Sequence, residues 1–505
     1  MHRKPTLAAG LLAVLLAAGP ATAIDVAYFE ERVTTTTLDN GLTLVIYERP
    51  TAPVVSFLTF VDVGAAQEVA GITGLAHMFE HMAFKGTSKI GTTDFKAEKK
   101  ALAREDEAYA AYAAARARRP KVDPDELEAL KQAFEQARDE AAEYVVREAF
   151  TKIVDRAGGA GVNAGTGADI TFFQMSLPAN KVELWAYLES ERFLDPVFRE
   201  FYQERDVVQE ERRMRVESQP VARLVEQLQG VAFQAHPYGH NITGHMSDLE
   251  SFTRQDAHEF YATYHGPSNI TAAIVGDVKA DEILPMLKRY FGRLKPRPEP
   301  PPLRTVEPEQ TVEKEIVMTD PSQPFYLEGY HRPSAYHPDD AVYDAISDVL
   351  SAGRTSRLHL RLVRDEKIAA FAGAFSGYPG SKYPHLMLFL AATTPGHTNE
   401  EIQAAIHDEI ERLKHEPVSD EELSMVKTRA KANLIRGLEN SGGIGGIAGQ
   451  LAMYQARYRD WRELFRSVER IEKVTKEDIM RVAQATFVPT NRTVAMIVNE
   501  DTGSE

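Results

Sequence analysis

Five prolines fall within residues 295–302 (KPRPEPPP), and no other stretch narrows the fold of this chain as much. Proline fixes φ and lacks a backbone donor, so this density resists helix and sheet alike and marks a semi-rigid linker. The segments on its two sides are alike. Residues 268–277 (SNITAAIVGD) read as a buried strand before a helix, and residues 491–499 (NRTVAMIVN) echo them in pattern and in position before a boundary. Beyond the linker, 325–329 read as a strand and 341–350 as a helix that starts a second half. The chain therefore reads as two similar halves, 24–292 and 305–505, joined by a linker at 293–304. Each half alternates antiparallel strands with packed helices, which is an α+β class. A doubly wound parallel sheet shows a similar alternation. Against it stand the Asp39-Asn40-Gly41 turn, a hairpin signal between two β-rich segments, and the lack of a glycine-rich dinucleotide loop after any strand.

The pattern breaks once. From 97 to 146 the composition turns abruptly to Ala, Glu, Lys and Arg, interrupted at Pro120-Lys121-Val122-Asp123-Pro124. Asp123 is placed to cap a second helix, with Pro124 in its first turn and Glu126 at the capping-box position. A long helical hairpin inserted into the first half is expected here. Its mixed charges point to a solvated antiparallel pair rather than a nucleic-acid module.

Met1-His2-Arg3-Lys4, a short apolar run over 7–18 and Ala21-Thr22-Ala23 make up the three parts of a secretory signal peptide, expected over 1–23. The apolar run is far shorter than the roughly 20 residues that cross a bilayer, and no later segment is apolar enough to span. Secretion across the inner membrane into a bacterial periplasm is the expected location. The chain has no cysteine, which excludes disulfides and thiolate ligands. Any metal must take His, Asp or Glu, which favours zinc in a nitrogen and oxygen site. A formal charge of −16 argues against nucleic acid as the main partner, because backbone binding needs a basic surface.

The chemistry concentrates at His77-Met78-Phe79-Glu80-His81. Four residues are slightly more than one helical turn, so His77 and His81 share a face and can hold one metal ion. This H-x-x-E-H order inverts the commoner H-E-x-x-H zinc motif and is itself a metallopeptidase signature. Catalytic zinc commonly takes three protein ligands plus water, so a further ligand is needed. The run Glu204-Arg205-Asp206-Val207-Val208-Gln209-Glu210-Glu211 is the prime source, with Glu204 and Glu211 close to two turns apart on one face. Counting alone does not choose between Glu204, Glu210 and Glu211.

At this point the chain resembles the pitrilysin/insulysin-like zinc metallopeptidases, in particular their short branch of bacterial homologues and mitochondrial processing peptidase beta subunits. The likeness runs over nearly all of the mature chain. It is carried by GLAHMFEHMAFKG at 74–86, GVNAGTGADITFF at 161–173, ERDVVQEERR at 204–213 and SAGRTSRLHLRLVRDE at 351–366. The resemblance implies one Zn2+ per chain on His77, His81 and Glu211, with Glu80 as general base and Glu204 supporting a liganding histidine. It also implies a clamshell of two halves, and an edge strand at Asn163 and Ala164 along which an extended peptide lies. The implied activity is a zinc endopeptidase acting on peptides or unfolded protein segments.

Two departures from the family pattern stand out. Here 130 residues separate His81 from Glu211, more than in relatives, and the inserted hairpin accounts for the excess. Complete family members also carry an arginine and a tyrosine seven apart that steady the substrate carbonyl. Arg364 occupies the first position, but Phe371 occupies the second and has no hydroxyl to donate. The resemblance thus leaves two readings of the partner question. One is a homo- or hetero-dimer in which a homologue supplies the Arg/Tyr pair; the other is a weakly active or non-proteolytic subunit of a peptidase-like oligomer.

Overall fold

The computed structural model describes residues 26–118 and 120–499, and the expected signal peptide lies outside them. The architecture is two-lobed α+β, two sheets packed by helices in a clamshell arrangement. The first sheet comprises β1 (Val33–Thr37), β2 (Thr43–Glu48), β3 (Val54–Val61), β4 (Ala160–Thr166), β5 (Thr171–Pro178) and β6 (Ile270–Gly276), in the order β1-β2-β6-β3-β5-β4. The second comprises β7 (Lys314–Thr319), β8 (Phe325–Arg332), β9 (Ala369–Tyr378), β10 (His385–Thr393) and β11 (Arg492–Val498), in the order β7-β11-β8-β10-β9.

From β2 onward the first sheet repeats in the second strand for strand, and among the described residues β1 alone has no counterpart. β2 and β6 pair in parallel, as do β7 and β11, and every other pair from there to the far edge is antiparallel. The likeness of 268–277 to 491–499 is therefore that of β6 to β11, each returning last to an inner position. The turn at Asn40 closes β1 onto β2. Its side-chain amide donates to Phe291 O and Leu294 O, both at 2.9 Å, which ties the turn to the end of the first half.

Alternate side chains on a strand face opposite ways, and here both faces are buried. From β2, β3 and β6, Leu44, Ile46, Phe57 and Ile274 point into the first lobe's main core. Val45, Tyr47, Leu58, Phe60 and Val275 point the other way, onto Ile447, Leu451, Trp461, Leu464 and Phe465 of the second half. The exchange is reciprocal. Leu224 and Leu228, on the first-half helix Pro220–Ala232, cover Leu327, Leu388 and Ile497 of the second sheet. Each such buried side chain contributes about 1.5–3 kcal/mol. The glycine run at 442–446 leads into the crossing helix Ile447–Tyr458 and lies over the hydroxyls of Ser56 and Ser176.

The charged segment forms two helices, Phe95–Ala117 and Pro124–Ala142, the second capped by Asp123, whose side chain accepts from Asp125 N. Glu126 does not complete a capping box; it pairs with Arg118 at 2.6 Å. The hairpin is seated rather than free-standing. Tyr109 and Phe134 enter the main core, Glu98 meets the buried Arg199 at 2.6 Å, and Glu105 and Asp106 both pair with the buried Arg254. Tyr109 and Tyr202 flank Arg205, so the hairpin buttresses the helix Phe201–Arg212 that carries Glu204 and Glu211. Among the described residues no helix is long and apolar enough to cross a membrane.

Candidate metal centre

The motif occupies the helix Leu75–Met82, which buries Leu75, Met78, Phe79 and Met82 and starts at Gly74 with φ +91°. Its apolar face fixes the helix against the core, so His77 and His81 turn together toward the helix Phe201–Arg212. His77 Nε2 lies 3.7 Å from Glu211 Oε1, and His81 Nε2 lies 3.4 Å from Glu211 Oε2. Tetrahedral ligands roughly 2.1 Å from one zinc ion sit about 3.4 Å apart. The three side chains therefore stand at the separation that a shared ion requires, with each offering one ligand atom within 4.8 Å of the others. Two imidazole nitrogens and one carboxylate oxygen are also a donor set that zinc accepts. Glu210 faces outward and pairs with Arg213 at 3.0 Å.

The electrostatics suit ligation. Burial, reinforced by His81 and Arg215, pushes His77 down to about 3, so its imidazole is neutral with a free lone pair. At His81 burial acts in the same direction but is outweighed by Glu204, Glu80 and Glu211, so its pKa is raised. His81 Nδ1 is 2.9 Å from Glu204 Oε1. A neutral His81 donates there, which leaves Nε2 toward Glu211. Lys85 Nζ lies 2.6 Å from Glu204 Oε2 and 3.2 Å from Glu200. Burial works against the Glu204 anion, but the bonds from His81 and Lys85 prevail and bring it down to about 2.

Glu80 stands beside the cluster and accepts from Thr166 Oγ1 at 3.1 Å. Burial pushes its carboxyl above the usual carboxylate range, against the pull of His81 and Thr166. Thr166 belongs to β4, the outermost strand of the first sheet. Asn163 and Ala164 lie on the same strand opposite Gln174 and Phe173 of β5, and among the described residues no strand pairs with its other edge. A cavity of about 600 Å³ opens beside Glu80 and His81, lined among others by Phe84, Lys85, Val146 and Glu200.

Arg364 and Phe371 are not brought to this cluster. The exposed Arg364 spends its hydrogen bonds on Asp365 at 2.6 and 2.8 Å. Phe371 is 48% exposed on β9, an edge strand of the second sheet. Several residues at the site carry no sequence signal that singles them out. Thr166 and Glu68 are of this kind. Lys85 lies just past the end of the motif helix and Glu200 caps the start of the helix Phe201–Arg212. His240 is bonded to Glu68 at 3.0 Å.

Comparison with known proteins agrees with this geometry. The family model described as Insulinase (Peptidase family M16) matches residues 43–142, and that described as Peptidase M16 inactive domain matches residues 251–430. The chain is 29% identical over 474 residues to the zinc protease PqqE of Helicobacter pylori, covering 91% of each chain. A crystal structure of a protease from Helicobacter pylori superposes with a TM-score of 0.77 at 26% identity, covering 92% of this chain and 99% of that one. The periplasmic protease PqqL from Escherichia coli shares the fold with a TM-score of 0.69 at 18% identity. The match covers 94% of this chain but 48% of that one. Site, sheets and relatives thus agree that the chain has the zinc peptidase fold of the M16, or pitrilysin/insulinase, family.

Proposed function

We propose that the chain is a zinc-dependent endopeptidase that hydrolyses peptide bonds in peptides or unfolded protein segments. The observation that carries this reading is the convergence of His77 Nε2, His81 Nε2 and Glu211 beside a half-buried Glu80 that accepts from Thr166. When bound, zinc supplies Lewis acidity to water and to the scissile carbonyl. His77, His81 and Glu211 hold it, and Glu204 keeps His81 in the tautomer that ligates. Glu80 takes the proton from the attacking water on its carboxylate and later delivers it to the leaving amine. Burial raises the Glu80 carboxyl above the usual carboxylate range, which strengthens it as a proton acceptor. The open edge of β4 at Asn163 and Ala164 receives the substrate as an added strand, which selects extended peptides through main-chain bonds.

The basic, apolar and A-x-A segments over 1–23, together with a periplasmic relative, support secretion to the periplasm. The purified chain is expected to bind about one zinc ion and to lose peptide hydrolysis on chelation, as read by metal analysis and a fluorogenic peptide assay. Failure to take up any transition metal after reconstitution with zinc would remove the catalytic reading.

A second reading draws on Phe371. Arg364 is bonded to Asp365 and Phe371 has no hydroxyl, which supports a carbonyl-steadying donor that comes from elsewhere. A second copy or a homologue carrying the Arg/Tyr pair fills that role, and without it the chain is a weak peptidase or a structural subunit. If Arg364 and Phe371 serve the chain's own site, Phe371→Tyr raises hydrolysis by the isolated protein, because a donor aimed at a developing oxyanion favours the transition state. If a partner supplies the donor, the substitution changes little and added partner raises the rate sharply. Strong hydrolysis by the isolated wild-type chain, unchanged by either, would exclude both versions.

A further inference from the structure

The two helices that bear the candidate ligands are distant in sequence, and residues 240–245 touch the start of one and the end of the other. At the start of the motif helix, the buried Glu68 carboxylate accepts from Ala76 N at 2.7 Å and from Gly74 N at 2.8 Å. Donors at a helix start have no partner within the helix, and the helix dipole favours a negative charge there. The same Glu68 Oε2 lies 3.0 Å from His240 Nε2. Three residues on, the segment meets Arg212, the neighbour of Glu211. Its Nη1 donates to Thr243 Oγ1 at 3.3 Å and to Gly244 O, and it pairs with Glu226 at 2.9 Å.

The crossing leaves no slack. A Cβ on Gly244, whose φ is +72°, would lie 2.0 Å from Thr73 O, and a Cβ on Gly74 would lie 2.7 Å from Thr243 O. Thr73 is itself clamped: its hydroxyl accepts from His245 N at 2.9 Å and donates to Asp248 at 2.7 Å. One end of the segment therefore grips the helix of His77 and His81, and the other grips the residue beside Glu211.

We propose that Glu68 and Arg212 are positioning residues which, through residues 240–245, set the distance between the histidine pair and Glu211. The proposal rests on the zinc reading above and extends it. Neither residue touches the ligand atoms. Both work by holding two helix ends in register, since a metal site tolerates only a few tenths of an ångström of misplacement. A simple packing role would predict losses of stability alone. A role in register predicts that the two residues act on the same variable.

The test uses the full-length protein loaded with zinc or with cobalt, whose visible absorption reports ligand geometry. Zinc affinity by chelator competition, the cobalt spectrum and thermal melting are read for wild type, Glu68→Gln, Arg212→Lys and the double variant. Glu68→Gln keeps one acceptor oxygen of two and is expected to lower zinc affinity about tenfold, the low end for groups behind the ligands, with a shifted cobalt spectrum. Arg212→Lys should act in the same direction, and the double variant should lose less than the product of the single losses. Unchanged affinity and spectrum in both single variants, whatever their melting temperatures, overturns the proposal, and so do losses that simply multiply. If Glu68→Gln does not fold, His240→Ala cuts the tie from its other end and must show the spectral shift; an unshifted spectrum overturns the proposal. A wild-type chain that binds neither metal overturns the zinc reading itself, and the proposal with it.

Discussion

Glu80→Gln is expected to leave zinc bound and the fold intact while lowering peptide turnover by at least about 10²-fold, the low end for a general acid–base group. Glutamine matches the shape of glutamate and can still accept from Thr166 Oγ1, so the contact at 3.1 Å survives. What disappears is the ability to take a proton from water and return it to the amine. Because Glu80 is not one of the three converging ligands, metal content should match wild type. The measurement is kcat on a quenched peptide beside zinc content by metal analysis. Near-normal turnover in a zinc-loaded Glu80→Gln protein removes Glu80 from the chemistry.

Glu211→Gln should fail differently, by losing the metal. Among the described residues Glu211 is the single carboxylate facing both imidazoles, at 3.7 and 3.4 Å, and glutamine replaces its charge with a neutral, weaker donor. The expected loss of zinc affinity exceeds about 10²-fold, beyond the range for groups that only orient ligands. Glu210→Gln is the control, because Glu210 is engaged with Arg213 on the outer face. A side-by-side zinc titration separates the outcomes. Unchanged affinity for Glu211→Gln, with a loss in Glu204→Gln or Glu210→Gln, would move the third ligand to that residue.

How legible these features are in sequence depends on how local their causes are. The proline-dense linker and the echo between β6 and β11 rest on local patterns, so the two-lobed α+β plan could be read from residues alone. The apolar run of β3 fits the burial of both its faces. Which helix covers its second face could not be read, because Ile447–Tyr458 reaches it from the other half. The charged hairpin misleads for a similar reason. Glu98 and Glu105 look like any other glutamate in an Ala/Glu/Lys/Arg helix, and only Arg199 and Arg254, distant in sequence, make them interior residues. At the metal centre the spacing of His77 and His81 is a one-turn regularity visible in five letters. The choice among Glu204, Glu210 and Glu211 depends on how a second helix is rotated, and the packing of Tyr202, Arg205 and Val208 determines that.

The exchange of helices between lobes sets a schedule for the growing chain. β6 is complete at residue 276, but the helix that covers the outer face of its sheet does not begin until residue 447. At common rates of synthesis that is roughly ten to thirty seconds during which a sheet with all its strands waits with one face uncovered. Throughout that wait Tyr47, Leu58, Phe60 and Val275 offer a contiguous apolar surface to other nascent chains or to a chaperone.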